Sequence, residues 1–465
     1  MKEIASLQPI LLHILSSEQA HQFRLLPFAV SSSELSCYTD RDLSPDLQQE
    51  WEVLLGKSLL VCRISTEIFD ELLSKHFYRS INANAQLNVS SDILDQMLKT
   101  AHALQSSDVH FEVFANSTRV RFRLDGKLKE FFSIPKKDYP ALINKIKIKA
   151  QMDISEKRLP QDGRISLKTK DGGKVDLRVS SLPTLYGEKL VLRILSRNAA
   201  LLSLEKLGFT PSDLESYRKQ LKNTQGLIVI SGPTGSGKTT TLYATLKEIN
   251  SPTTNILTIE DPIEYTLDGI NQVQLKESIG LSFPKALRSF LRQDPDIIMV
   301  GEIRDEATAQ MAIRAALTGH LVLATIHTNS AWGSLTRLED MGVPPFLLSE
   351  TLRLSVAQRL VRKLCSHCKE KTNVFPEQLK RPKEQTVHYC AKGCNECYHT
   401  GYAGRIALYE LLPMSSALKT AFVEQQLTEE QFQEETPYTT LKQQAWNLVC
   451  QGQTSIEEVY PLIAF

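Results

Sequence analysis

The sequence predicts an α/β chain built on a largely parallel sheet. Three observations carry that expectation. A glycine-rich loop, Gly232-Pro233-Thr234-Gly235-Ser236-Gly237-Lys238-Thr239 with Thr240 following, lies between an apolar strand and a helical segment. Strands and helices alternate over residues 225–326, the pattern of a parallel sheet covered on both faces. An apolar run, Ile297–Val300, ends on Gly301 and Glu302, which places a carboxylate at a strand tip.

The chain has 465 residues, enough for about three domains at roughly 150 residues each. Its 54 basic and 53 acidic residues leave a net charge of +1, which argues against a generic nucleic-acid binder. A chain 42% hydrophobic and 23% charged is neither wholly disordered nor fibrous. No apolar run approaches the roughly 18 residues of a membrane span. At the start, Lys2 precedes an apolar stretch over residues 7–15. Glu3 and Pro9 interrupt it, His13 lies inside it, and no small-residue cleavage site follows. Ile4, Leu7, Leu11 and Ile14 recur at helical spacing and predict an amphipathic surface helix. Without a signal the expected location is cytoplasmic, with the eight cysteines as thiols or metal ligands.

Residues 1–85 form the first block. Apolar clusters at 25–30, 54–61 and 68–73 alternate with polar turns at 31–33 and 40–45, as in a small α/β or α+β module. No chemistry is visible there. The second block spans residues 86–198. It reads as a helix over 93–104, strands over 109–114 and 119–124, a turn at Asp125-Gly126, and a helix over 139–150. Residues 158–164 read as an ordered turn. Strands over 174–180 and 189–195, joined through Pro183 and Gly187, complete a sheet with helices on one face. Residues 196–204 read as a linker to a third block, 199–465, whose strands are expected over 227–231, 256–259, 297–300 and 321–326. Helices are expected there over 238–249, 283–292 and 306–317. A cysteine-bearing loop at about 365–400 interrupts the pattern before a helical tail with Leu441, Trp446 and Leu448 as core.

The glycine-rich loop matches the full phosphate-loop pattern in its required context. Its glycines let backbone N–H groups wrap phosphates, and the helix N-terminus adds a favourable dipole. Lys238 is expected to reach the β- and γ-phosphates of ATP, and Thr239 to ligate Mg²⁺. Glu302 stands where a Mg²⁺- or water-positioning carboxylate belongs; a solvated loop acid is the alternative. A second acidic strand end, Ile259-Glu260-Asp261-Pro262-Ile263-Glu264, offers a carboxylate to polarise a water. His320 and His327 bracket the strand 321–326 as γ-phosphate sensors or as structural histidines.

Cys365 and Cys368 form one C-x₂-C pair, and Cys394 and Cys397 form another about 25 residues on. Such pairs predict a closed tetrahedral Zn²⁺ site with a structural role. Four metal-free thiols are the alternative, and His367, Cys390 and His399 are competing ligands. Cys37, Cys62 and Cys450 are isolated and expected to be buried.

The phosphate loop, the segment 258–264, Asp294-Pro295-Asp296 with Gly301-Glu302-Ile303-Arg304-Asp305, and Thr318-Gly319-His320 with His327-Thr328 occur in this order. Together with Ser107-Asp108-Val109-His110, residues 158–164 and Gly187-Glu188, they resemble the secretion ATPases of type II secretion and type IV pilus assembly (the GspE/PilB family). The resemblance covers about residues 90–465 and reaches the first block only loosely. It implies a RecA-like P-loop core with a zinc-binding insertion, preceded by a PAS-like α+β domain and a small docking module. It implies that Glu264 is the water-activating acid and Glu302 an atypical Walker B residue. It makes His327 the histidine-box residue, with His320 beside it. Arg178 and Arg193 match arginines that reach the nucleotide and neutralise charge on the γ-phosphate; exposed arginines of a salt-bridged sheet are the alternative. Arg288, Arg292 and Arg304 match arginines at domain or subunit contacts, or else lie on a solvated face.

The tetracysteine loop is typical of assembly and secretion members and generally lacking in retraction ATPases. A cyclic-di-GMP-binding pattern is not found in the first block. The resemblance thus implies a cytoplasmic homo-hexamer, peripheral to the inner membrane, that hydrolyses ATP to drive a platform membrane protein and its assembly partners. No specific nucleic acid is expected. The competing reading is a DNA-translocating or helicase-type motor. Residues 136–170 hold ten Lys or Arg against four acids, including Lys145, Lys147 and Lys149, and are its best local support. A non-hydrolysing scaffold is disfavoured, because every expected carboxylate is present.

Overall fold

The computed structural model describes residues 20, 23–31, 33–42, 48, 52, 57–76, 93–168, 174–195, 203–373, 387–424, 428–435 and 438–464. The amphipathic helix expected over 4–14 and most of the expected linker lie outside the described residues. The described residues divide into two compact units, one reaching Ile194 and including Gly393–His399, the other comprising Leu195–Lys392 and the residues from Thr400 onward.

In the first block, strands β1 (Leu26–Val30), β2 (Glu34–Thr39) and β3 (Ser58–Arg63) form a three-stranded sheet followed by the helix Thr66–His76. β1 pairs antiparallel with β2, and β2 pairs parallel with β3. Their small core gathers Leu25, Leu26, Leu35, Cys37, Leu59, Phe69 and Leu73.

The second block contributes β4 (Asp108–Val113), β5 (Thr118–Leu124), β6 (Lys127–Phe132), β7 (Gln161–Lys168), β8 (Lys174–Thr184) and β9 (Gly187–Leu195). They form one six-stranded sheet in the order β6-β5-β4-β9-β8-β7. Period-two alternation sends Val109, Phe111, Val120, Phe122, Leu190 and Leu192 to a core shared with Leu94, Leu98, Leu142 and Ile146 of the helices Ile93–Ala103 and Tyr139–Lys149. The turn expected over 158–164 is corrected at its second half, where Gln161 already opens β7. Gly163 pairs with Val179 in that ladder, and a Cβ there would lie 2.4 Å from the Ala150 carbonyl oxygen, so glycine marks a close approach rather than a turn.

The face of this sheet away from the core is ionic. The Glu112 carboxylate meets Arg119 at 2.7 Å, Arg121 at 2.8 Å and Lys189 at 3.1 Å. Burial alone would raise its pKa, but bonds from Arg121, Arg119 and Lys189 outweigh it and hold the group at about 2. Two lysines of the basic stretch 136–170 are answered by carboxylates on other elements. Lys147 is fully buried and donates to Glu188 Oε1 at 2.8 Å and to the Glu156 carbonyl at 2.7 Å. Lys149 pairs with Asp95 at 3.1 Å.

The remaining strands are β10 (Gly226–Ser231), β11 (Ile256–Glu260), β12 (Asn271–Gln274), β13 (Ile297–Val300), β14 (Leu321–Ile326), β15 (Leu352–Leu364), β16 (Lys369–Thr372), β17 (His388–Ala391) and β18 (Tyr402–Pro413). Seven of them form a sheet in the order β12-β11-β13-β14-β10-β15-β18, parallel throughout except for the β15–β18 pair. Both faces are covered, because Leu227 and Val229 of β10 enter one core and Ile228 and Ile230 another. Leu204, placed in the linker by sequence, is fully buried in the second of these cores. In the tail, Leu441 and Leu448 are core and Trp446 packs against it half-buried. Of the isolated cysteines only Cys37 is buried; Cys62 is half-buried and Cys450 exposed, the latter as the last residue of the helix Leu441–Cys450.

Candidate nucleotide site

β10 is fully buried and ends at Ser231, so the chain leaves the sheet at Gly232. Gly232, Gly235 and Gly237 take φ of 146°, 81° and 89°, which L side chains rarely adopt. At Gly232 a Cβ would also lie 2.4 Å from the Gln358 carbonyl oxygen. The helix Lys238–Ile249 starts directly after Gly237, with Thr239 and Thr240 exposed in its first turn. Its leading N–H groups have no acceptor within the helix and face the loop. Lys238 Nζ donates to the loop's own carbonyls, Gly232 O at 2.7 Å and Pro233 O at 3.2 Å. Burial lowers the Lys238 pKa, and nearby Arg359 adds to this against the opposing pull of Glu302. Ser236 Oγ is buried with no hydrogen-bond partner, an orphaned donor in a loop that fits a phosphate oxygen.

Glu302 stands just past the end of β13. Gly301 N–H donates to Ile259 O at 2.8 Å, and Thr325 Oγ1 donates to Gly301 O at 2.6 Å, so both flanking strands lock this tip. The Glu302 carboxylate is 17% exposed; one oxygen lies 3.0 Å from His327 Nε2 and the other accepts from Arg304 Nε at 2.8 Å. Arg304 is therefore committed within the site. Arg288 and Arg292 are exposed, and Arg292 donates to the Arg288 carbonyl at 2.9 Å.

The two histidines separate. His327 follows the carboxyl end of β14, whereas His320 precedes its amino end, where its Nδ1–H donates to Ala315 O at 2.9 Å. The six residues of β14 lie between them, so His320 is a helix-end contact and is not beside His327. The acidic segment after β11 also divides by burial. Glu260 is 3% exposed and accepts from Thr258 Oγ1 at 2.6 Å, Gln272 Nε2 at 3.1 Å and the Tyr243 hydroxyl. Glu264 is half-buried past the strand, its N–H 3.4 Å from the Tyr243 hydroxyl.

On the six-stranded sheet, Arg193 of β9 pairs with Asp108 of β4 at 3.1 Å, and Arg123 of β5 meets the same carboxylate at 3.2 Å. Arg178 lies half-buried on β8 opposite Arg164.

Sequence reasoning missed Gln358 and Arg359, both on β15. Gln358 is 2% exposed and bonds the phosphate loop, while Arg359 Nη2 donates to Asn329 O at 2.9 Å in the turn after His327. The signal in sequence was slight, because β15 also carries Arg353, Ser355, Arg362 and Lys363, and a glutamine among them does not stand out.

The antiparallel pair β16–β17 brings the two cysteine pairs together, since Lys369 directly after Cys368 pairs with Ala391. The sulfurs of Cys365, Cys368, Cys394 and Cys397 all lie within 4.8 Å of one another. Cys394 and Cys397 Sγ are 3.7 Å apart, close to the roughly 3.8 Å that tetrahedral Zn–S bonds of about 2.3 Å require. The four thiols fit a metal; His367, Cys390 and His399 are not in the group.

Strand, glycine loop and helix in this order, with a carboxylate at the tip of a nearby parallel strand, define a phosphate-loop NTPase. The family model described as Type II/IV secretion system protein matches residues 83–461, and the chain belongs to that family of ATP-hydrolysing enzymes. It is 46% identical over 374 residues to the type II secretion system ATPase E of Vibrio cholerae, covering 79% of this chain and 74% of that one. It is 44% identical over 414 residues to the type IV pilus assembly ATPase PilB of Myxococcus xanthus, covering 87% and 72%. Against type II secretion system protein E of Aeromonas hydrophila identity is 39%, covering 93% and 95%. Among solved structures, the Legionella pneumophila ATPase DotB superposes with a TM-score of 0.60 at 21% identity, covering 80% of this chain and 95% of that one. The pilus retraction motor PilT with bound ADP superposes at 0.53 and 28% identity, covering 79% and 95%.

Proposed function

We propose that this chain is the motor ATPase of a type IV pilus-assembly or type II secretion apparatus, working as a homo-hexamer at the cytoplasmic face of the inner membrane on a platform membrane protein. The observation that carries this reading is the Glu302 tip, held by His327 and Arg304 in a sheet whose interior strand β10 ends in the phosphate loop. The names of the relatives support the apparatus. No helix among the described residues is long and apolar enough to cross a membrane, which agrees with association through partners.

In this reading residues 232–240 hold the phosphates of ATP, with Lys238 exchanging its loop carbonyls for phosphate oxygens. Thr239 and Glu302 are the groups that suit Mg²⁺, which when bound neutralises phosphate charge. Glu264 orients the attacking water, and His327 reports the γ-phosphate to Glu302. Arg178 and Arg193 neutralise developing charge, for which Arg193 must leave Asp108. Division into a docking module over 1–85, a second domain over 86–198 and an ATPase domain over 199–465 is supported by their separate sheets and cores. The four cysteines are read as a structural Zn²⁺ site, a feature favouring assembly or secretion over retraction. Substituting Cys365→Ser lowers both zinc content, read by elemental analysis, and melting temperature. Full zinc occupancy in that variant counts against the site.

The deciding experiment is ATPase activity of the purified protein with the detergent-solubilised platform protein, against long double-stranded DNA. Stimulation by the membrane protein alone is expected. Stimulation by DNA alone would move the assignment to a nucleic-acid motor, a reading that the burial of Lys147 already weakens.

A further inference from the structure

β15 runs parallel to β10 with Ser231 opposite Ala357, so Gln358 lies beside the point where the chain enters the phosphate loop. Its side chain is buried and both ends of its amide are used. Nε2–H donates to the Ser236 carbonyl at 2.8 Å, and Oε1 accepts from Thr241 Oγ1 at 3.0 Å. These two bonds fix the orientation of the amide. The backbone of Gln358 also fills the space a side chain at Gly232 would need, and a Cβ at Gly237 would lie 3.0 Å from Nε2. One residue thus contacts the entry of the loop, its last peptide and the first turn of the following helix.

The consequence follows from peptide geometry. In a trans peptide the C=O and N–H point in opposite directions. A bond that draws the Ser236 carbonyl toward Gln358 therefore turns the Gly237 N–H away from β15 and into the loop. Gly237 has no side chain to hold that orientation, and at φ 89° its peptide has few intrinsic restraints. Ser236 Oγ, buried without a partner in the same turn, belongs to the same cradle.

We propose that Gln358 is a positioning residue for nucleotide binding: its amide holds the Ser236–Gly237 peptide with the N–H directed at the phosphates of a nucleoside di- or triphosphate. This rests on the nucleotide-binding reading of the loop. Gln358 touches no phosphate; it sets the direction of a donor that does. Removing it costs uniform binding rather than the chemical step, so KM rises and kcat holds.

The test is calorimetric titration of ADP in magnesium buffer into the full chain, with KM and kcat for ATP measured alongside. Gln358→Met keeps the volume and loses both bonds. Gln358→Glu keeps the bond from Thr241 and loses the donor to Ser236. Both are expected to weaken ADP and raise KM about tenfold, with kcat changed less than about threefold. Thr241→Val, which frees the far end of the amide, is expected to weaken ADP about threefold. A lowered melting temperature with unchanged ADP affinity and KM in the Gln358 variants would make the role merely structural and overturn the proposal. If Gln358→Met does not fold, Gln358→Glu and Thr241→Val decide it: unchanged ADP affinity in both overturns it. Wild-type protein that binds no ADP would instead refute the nucleotide reading itself, so the two failures are distinguishable.

Discussion

On the six-stranded antiparallel sheet, charge is answered across neighbouring strands: Glu112 of β4 faces Arg119 and Arg121 of β5 and Lys189 of β9, and Asp108 faces Arg123 and Arg193. On the seven-stranded sheet β10, β11, β13 and β14 are buried from end to end, and the groups with chemistry stand at or beyond their ends. The difference follows from what covers each sheet. An antiparallel sheet with one open face alternates apolar and polar residues and must neutralise the polar row locally. A parallel sheet covered on both faces has no such row, so polar side chains concentrate where strands end. Charges in the first region therefore tie neighbouring strands together, whereas Lys238, Glu302, Arg304 and His327 of the second stand around the strand ends beside the phosphate loop.

Substitutions can break or sharpen that comparison. The largest expected effects are at strand ends of the parallel sheet: Lys238→Ala and Glu302→Gln lower steady-state ATP turnover by at least about a hundredfold while the protein stays folded. Wild-type turnover in either variant would refute the site. In the second block the expected loss is stability. Lys147→Met leaves Glu188 buried without its cation and costs about 3–5 kcal/mol in denaturant unfolding, most of which the double variant with Glu188→Leu restores.

Glu112 predicts a pH window. Its folded pKa of about 2 lies below its ordinary value of 4.5, so its stabilisation is fully present above about pH 4.5 and is lost as pH falls toward 2. With screening through its partly exposed partners this amounts to on the order of 1–2 kcal/mol. Unfolding followed between pH 6 and 2.5 should flatten in Glu112→Gln, and an identical slope in the variant would contradict the ion cluster. The smallest stability effect belongs to Arg193→Ala, because the pair with Asp108 is 60% exposed on the arginine side and is worth about 0.5–1 kcal/mol. A loss of turnover far beyond that small cost is the expected result if Arg193 also serves the nucleotide. Unchanged turnover would leave it a sheet residue only.

Much of the fold was legible because its signals are local. Residues 238–249, 297–300, 306–317 and 321–326 were bounded in sequence as they are in space, since apolar runs and helical periods need no distant partner to be recognised. The phosphate loop was legible for the same reason. Legibility failed where a residue's meaning depends on what it meets. Gly163 reads as a turn residue in sequence, but its glycine is required by the Ala150 carbonyl behind it. Lys147 reads as part of a basic face in sequence, but Glu188, 41 residues away, lies beside it and holds it inside.

The sequence by itself determined the alternation of strands and helices over 227–326, the phosphate loop, the two cysteine pairs and the carboxylates at strand ends, because each is written in contiguous spacing. Only the tertiary structure decided which of those groups meet. It separated His327 from His320 by the length of β14, sorted Glu260 into the interior and Glu302 to the tip, and brought Gln358 against Ser236 across 122 residues of chain. The physical reason is strand order: β14 and β15 flank β10, and adjacency in a sheet is set by how apolar faces pack rather than by distance along the chain.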